Sequence, residues 1–472
     1  MRIGQTSLVY FGSQFLTSIL GFAVTLVLAR ELGASVLGQY YFVVSIVIWM
    51  KILSGQGIQT AAIKRISEGG DRSGYFGAVV LLQGAAFAVV SLVFLAGAKV
   101  ARTYFDVGLG VSPGVVLGLL AASLFIWTAT SALNGMDLVH LGALLSPIDR
   151  LFRSIAQVGV ALAGLGTVQL LLAGYAVAEV LAGVVGIAMF TVRPTLPSRE
   201  QVVSVVDYAK FSWFNGIESR AFASMDTIVL GIFVASDLLG IYEIAWNLAS
   251  ILAMFSVAIS RSLFPQISRL SEAEGTRAVE GFVDDALAYS GLFVIPGLVG
   301  SLVLGESLMR IYGAEFAQGG LILVVLVFAR LVYVYESQFT NTLGAVDRPD
   351  LAFRVNVVFI GLNLVLNVVL VYRFGWYGAA VATTLSAVAG LVLGYVYLSR
   401  LIEVPLPTRE VSTQVGAALV MGVVVFAGSE TMPGGIPATL TLVSVGAGVY
   451  FLALAALSRR FRATVRRNLP IP

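Results

Sequence analysis

The chain has 472 residues, of which 58% are hydrophobic and only 12% charged, against about 25% charged in a soluble domain. With a mean hydropathy of +0.93, this excludes a soluble fold, because no core absorbs so much apolar surface. The net charge of +3 does not read as nucleic-acid affinity; the absence of cysteine excludes thiol chemistry, and the single His140 excludes a histidine-built metal site or triad.

The apolar runs are continuous rather than alternating, which points to helices and away from a membrane barrel. A span needs about 20 apolar residues. Fourteen spans are predicted: 7–29, 38–60, 76–98, 112–134, 149–165, 168–192, 209–234, 239–264, 285–305, 317–339, 351–371, 375–399, 412–428 and 436–457. The first is too long for a signal-peptide core and lacks a convincing cleavage site, so it is read as a retained helix. Every connection is short, and no soluble domain is expected. With the N-terminus inside, 21 of the 29 basic residues fall on the inner side and 5 on the outer. That bias sets the orientation and favours an even number of spans.

The stretch ASVLGQY at 34–40 returns as SDLLGIY at 236–242, with Gly38 on Gly240 and Tyr40 on Tyr242. PIDRLFR at 147–153 pairs with RPDLAFR at 348–354, and AVAEVLAGVVG at 176–186 with AVATTLSAVAG at 380–390. Six spans per copy is an even number, so the copies are read as parallel repeats, which place a substrate site at their interface. The predicted domains are an N-lobe over 1–200, a C-lobe over 201–405, and two further spans with a basic tail over 406–472.

LARELGASVLGQY at 28–40, DTIVLGIFVASDLLGIYEIAWNL at 226–248, LFPQISRL at 263–270 and the long stretch from Leu343 to Ser386 carry a family likeness. On these the chain resembles the oligosaccharide flippases of the multidrug/oligosaccharidyl-lipid/polysaccharide exporter superfamily. The resemblance implies an all-α membrane protein with two six-helix lobes forming a V around a central cavity. It also implies a lipid-linked oligosaccharide as cargo, moved from the cytoplasmic to the outer leaflet of a prokaryotic plasma membrane. Expected partners are membrane lipids and the glycosyltransferases or polymerase of the same pathway; nucleic acid is not among them, and a monomer is expected. A multidrug or organic-cation antiporter, a peptidoglycan-precursor flippase and a membrane-embedded glycan polymerase or ligase are the alternatives. The last would need a large catalytic outer loop, which the chain lacks.

Ionisable groups inside spans cost about 2.5–3.5 kcal/mol each on insertion scales and so mark function. Lys51, Arg220, Arg330 and Arg261 are candidates for an anion cradle, since arginine matches phosphate oxygens with a bidentate fork. The competing reading is structural: Arg220 pairs with Glu218 or Asp226, while Lys51 and Arg261 snorkel to an interface. Glu179, near mid-span, Asp226 and Glu218 are candidates for proton or sodium coupling; pairing with a neighbouring cation is the plain alternative. Glu243 and Glu336 read as interfacial, and Asn363 and Asn367 as helix-packing groups. The acidic stretch from Glu272 to Asp285 reads as a solvated connection, and the arginine-rich tail as an anchor touching anionic lipid. No catalytic residue, metal site or cofactor is expected. No Walker lysine motif is present, so the energy source is read as an ion gradient, the membrane potential or the cargo's own gradient.

Overall fold

The computed structural model describes residues 3–105, 110–212, 217–404 and 406–468. Side chains are described from residue 20 onward, except those at 101–102, 104–105, 211, 217–224, 258, 261–262 and 467–468. Every regular element among them is helical. Two compact units divide the chain, Met1–Gly240 and Ile241–Pro472.

The first unit opens with α1 (Ile3–Ser67), which is broken at Gly33, where φ is 78° and ψ 174°. That backbone is open to glycine and strained for other residues, so one long apolar run becomes two helices, as the first two predicted spans require. Then come α2 (Arg72–Phe105), α3 (Pro113–Gly135), α4 (Val139–Leu162), α5 (Val168–Ala188), α6 (Arg199–Ser212) and α7 (Ile217–Phe233). Local chemistry sets the starts. Ser112 caps α3 through the Gly114 amide with Pro113 at its first position, and Thr167 caps α5 through the Leu170 amide.

α8 (Ser236–Glu274) leads into the second unit. There follow α9 (Glu280–Ser290), α10 (Val294–Arg310), α11 (Gly320–Ala345), α12 (Pro349–Phe374), α13 (Trp376–Leu398), α14 (Thr408–Thr431), α15 (Ile436–Leu457) and α16 (Arg459–Asn468). The predicted ninth span is in fact two helices parted at Gly291–Phe293. Pro296, expected to kink it, sits in the first turn of α10 instead, where a missing amide costs nothing.

Eleven stretches among the described residues are long and apolar enough to cross a membrane. Their outward faces are apolar: Leu452 of α15 is 75% exposed, Val423 of α14 71% and Leu92 of α2 68%. Only lipid makes such a surface stable, so the chain is a multi-pass membrane protein. α4 is absent from the eleven because Asp149, Arg150 and Arg153 occupy its middle. It starts ten residues before the predicted span: Pro147 was expected to stand outside it but lies within the helix.

The internal repeat has a structural counterpart in two turns. α3 and α11 both end with an aspartate in the left-handed region, Asp137 at φ 62° and Asp347 at φ 61°. Each is closed by the same bond, Leu138 N–H to Leu133 C=O and Arg348 N–H to Leu343 C=O, both at 2.9 Å. These turns are 210 residues apart. The pairing of PIDRLFR with RPDLAFR is therefore coincidental, since Asp149 lies deep in α4 and Asp350 in the first turn of α12. The pairing of Gly38 with Gly240 has a physical basis. A methyl group on Gly38 would strike the Ser236 carbonyl, and one on Gly240 would strike the Ala34 carbonyl. The two sequence copies thus cross backbone to backbone within the first unit.

Because backbone meets backbone at that crossing, no side chain can yield. Gly38→Ala is expected to cost about 1–3 kcal/mol and to lower the thermal midpoint of the purified protein. Gly118→Ala in α3, where a methyl group would meet nothing within 4 Å, is the control and should leave it unchanged or raise it slightly.

Candidate functional site

The first unit encloses a charged network built by four helices. α4 supplies the buried face Gly142, Leu145, Asp149, Ser154 and Gln157. One turn separates Asp149 from Arg153, whose guanidinium donates to its carboxylate at 2.7 Å. Both side chains are nearly enclosed, 11% and 14% exposed. Arg153 also lies 4.0 Å from the ring centre of Tyr175 on α5, a cation–π contact that stabilises a desolvated cation. On the next turn Gln157 donates to the Tyr40 hydroxyl of α1 at 2.8 Å. Arg150 extends over Gly21 of α1, where any larger residue would meet its guanidinium.

Glu179 of α5 completes the network. It is buried and accepts a 2.5 Å hydrogen bond from Ser123 of α3. Lys51 and Arg153 lie within Coulombic reach of it, as does Asp149. The Lys51 ammonium sits 4.9 Å from the ring centre of Trp127. It is therefore held inside the unit against α3 rather than only snorkelling. Among the described residues, three cations, Lys51, Arg150 and Arg153, face two carboxylates, Asp149 and Glu179, leaving one positive charge in excess. Asp149 Oδ1, Arg150 Nε and Arg153 Nε find no hydrogen-bond partner among the described residues. Buried groups with bonding capacity to spare mark a place for a polar guest or ordered water.

The sequence reading placed Lys51 and Glu179 correctly inside spans but counted Arg150 and Arg153 with the basic residues of the inner side, at the start of the fifth span. The available signal was the helical spacing of Asp149, Arg153 and Gln157. Starting that span at 149, ten residues after α4 begins, hid it. The basic imbalance survives the loss of these two arginines from the inner side. A neutral cluster was also missed: Gln59 of α1 donates to Gln83 of α2 at 2.8 Å and to Thr128 of α3 at 3.0 Å, all three buried.

In the second unit Arg330 of α11 donates to Ser250 Oγ of α8 at 2.5 Å and lies 4.0 Å from a ring centre of Trp246. Glu336 and Glu243, expected at the interface, are buried instead, because each sits well inside its helix on a protein-facing side. Asp226 of α7, in the first unit, is buried as well. Asn363 of α12 donates to Thr383 of α13 at 3.3 Å, tying the two helices, while Asn367 donates to the Asn363 carbonyl one turn back on its own helix at 3.1 Å. The side chains of Arg220, Glu218 and Arg261 lie outside those described. α8, α10, α11, α14 and α15 also enclose an apolar cavity of about 320 Å³, lined by Leu252, Gly297, Gly300, Met421, Gly446 and Phe451 among others.

Comparison with known proteins agrees with this architecture. Residues 3–271 match the family described as polysaccharide biosynthesis protein, and residues 176–446 match the lipid II flippase MurJ family. A probable flippase from Haloferax volcanii, AglR, is 30% identical over 474 residues, covering 99% of this chain and 98% of that protein. A probable low-salt glycan biosynthesis flippase from the same organism, Agl15, is 28% identical, with 99% of each covered. A solved lipid II flippase MurJ, in an inward closed conformation, superposes with a TM-score of 0.77 at 15% identity, covering 97% of this chain and 100% of that one. At that identity the likeness bears on fold alone.

Removing one member of the Asp149–Arg153 pair strands the other in a low-dielectric site. Arg153→Gln is expected to destabilise the protein by about 3–5 kcal/mol, seen as loss of the monodisperse peak after mild heating in detergent. Asp149→Asn combined with Arg153→Gln should recover much of that loss. Additive losses in the double variant would show that the two do not act as a pair.

Proposed function

Since the chain belongs to the polysaccharide biosynthesis protein family, we propose that it is a flippase that carries a lipid-linked oligosaccharide from the cytoplasmic to the outer leaflet of a prokaryotic plasma membrane. The observation that carries this reading is the partly buried network of Lys51, Arg150 and Arg153 in the first unit, net cationic among the described residues. Moving a prenyl-linked phosphate or diphosphate through hydrocarbon unpaired is prohibitive. Lys51 offers a point charge and the arginines planar forks with donors to spare, a chemistry suited to phosphate oxygens. Arg330, stacked on Trp246 with one donor on Ser250, is a second cation for the same cargo. The apolar cavity of the second unit is dry enough for the prenyl tail. Fourteen spans in two parallel six-helix repeats, with lobes over 1–200 and 201–405, two added spans over 406–472 and both termini inside, belong to this reading. So do action as a monomeric transporter rather than an enzyme, and work alongside the glycosyltransferases or polymerase of the pathway. The inner excess of basic residues and the equivalent turns at Asp137 and Asp347 support the repeat and the topology.

Movement is driven by alternating access without ATP. Glu179 is the coupling group in this reading, with Asp226 and Glu218 as further acids in α7. It accepts from Ser123 and has Lys51, Arg153 and Asp149 nearby, so its surroundings change with whatever else enters the network.

Proteoliposomes containing the full chain and a fluorescent prenyl-diphosphate sugar test the reading. Each of Lys51→Ala and Arg330→Ala should slow flipping about tenfold or more, the worth of one charge-assisted hydrogen bond. Undiminished flipping in both variants would sink the assignment, and drug efflux without glycolipid movement would transfer the chain to the antiporters. In the same vesicles an imposed proton or sodium gradient should accelerate the native chain and leave Glu179→Gln unaffected. Equal acceleration of both would remove Glu179 from coupling.

A further inference from the structure

The arginines at the end of the chain divide into two sets. α16 follows α15 after the single extended residue Ser458. One face of α16 is docked. The Phe461 amide donates to Ser458 Oγ at 3.1 Å, and the Phe461 ring stacks on Phe451 of α15 with centroids 6.2 Å apart. The hydroxyls of Thr464 and Tyr289 are 2.6 Å apart. Arg460 pairs with Asp284 at 2.7 Å, with Asp285, and at 3.9 Å with Glu410. The last two acids of the stretch from Glu272 to Asp285 thus help seat this helix, while Glu272 and Glu274 are exposed as expected. Arg462 donates to the Ala455 and Ala456 carbonyls at 2.7 Å each, satisfying acceptors that the end of α15 leaves open.

The other face is uncommitted. Arg459 and Arg466 are seven residues apart, two helical turns, and so share a side. Both are exposed, and neither makes an ion pair among the described residues. Their level is set by α15, which carries exposed apolar side chains at Leu440, Val443, Leu452 and Leu457 along its length. Arg459 comes two residues after the last of these leucines. A cation there stands where hydrocarbon gives way to headgroups.

We propose that α16 is an anionic-lipid site: Arg459 and Arg466 hold the phosphates of acidic glycerophospholipids in the adjoining leaflet, while Arg460 and Arg462 fix the helix to the protein. Charge complementarity selects this occupant. The acids Asp284, Asp285 and Glu410 all face Arg460 on the docked side, so the charged groups left on the outward face, among the described residues, are Arg459 and Arg466, and that face adjoins a lipid-covered surface rather than a crevice. The proposal does not depend on the transport reading.

Full-length protein in neutral detergent, titrated with phosphatidylglycerol, phosphatidylcholine or inorganic phosphate and read by native mass spectrometry, tests it. The native chain should prefer phosphatidylglycerol. Arg459→Gln with Arg466→Gln should weaken that binding about 25-fold, since each surface arginine contributes about fivefold, and leave phosphatidylcholine binding unchanged. Arg459→Lys with Arg466→Lys should retain most of it. Raising the salt should weaken the native interaction, a readout that stands even if the glutamine variant does not fold. The proposal fails if the glutamine variant binds as the native chain does, if the two lipids bind alike, or if binding ignores salt. Displacement of the lipid by millimolar inorganic phosphate would also overturn it, by making this a site for free phosphate.

Discussion

The cost of charge inside hydrocarbon governs this molecule. An isolated ion there is worth several kcal/mol of penalty, so a chain that is only 12% charged places almost every charge in a connection or against a partner. The exceptions within helices gather rather than scatter. Asp149, Arg150 and Arg153 on α4 meet Lys51 on α1 and Glu179 on α5, and aromatic faces at Trp127 and Tyr175 receive two of the cations. α4 lacks the apolar composition of a membrane helix because its charges point into this network. Its helix is possible only because its neighbours pay that cost.

The same constraint explains the crossing at Gly38 and Gly240. A hydrophobic driving force is absent between helices in lipid, so close backbone approach and dispersion must hold them together. Glycine at both positions lets carbonyl and Cα surfaces meet without an intervening side chain. The copies of this motif are alike because each supplies half of one contact. The copies differ instead at a charged position of the network, where Glu179 stands opposite Thr383.

Much of this was legible in the sequence. Continuous apolar runs gave the helices, and their lengths the approximate ends. The glycine-tyrosine echo marked a real structural relation. What failed were inferences from single residues. The fifth span was started at 149, past Pro147, yet a proline within a membrane helix is tolerated when neighbours satisfy the freed carbonyl. Glu243 and Glu336 looked interfacial from their distance to a helix end, although which side of a helix a residue occupies depends on packing. Arg460 looked like any tail arginine, because its partners Asp284, Asp285 and Glu410 lie far away in sequence. Helical periodicity was readable; the identity of the neighbouring helix was not.

The carboxylates inside a cationic site need their own reason. A cradle of three bare cations would be costly to hold empty, and it would bind a diphosphate too firmly to release it. Asp149 and Glu179 lower both costs. On the proposed reading they offset two of the three cations while the site is empty, so the fold tolerates them, and they would still compete with an arriving phosphate, so that the guest would be held by the excess rather than the sum. A carrier needs that compromise, because its rate depends on letting go as much as on taking hold. Of the two acids, Asp149 is fixed by Arg153 at 2.7 Å, while Glu179 is held by a neutral hydroxyl. On the proposed coupling reading, Glu179, which makes no guanidinium ion pair among the described residues, is the acid whose charge would change during a cycle without collapsing the pair beside it.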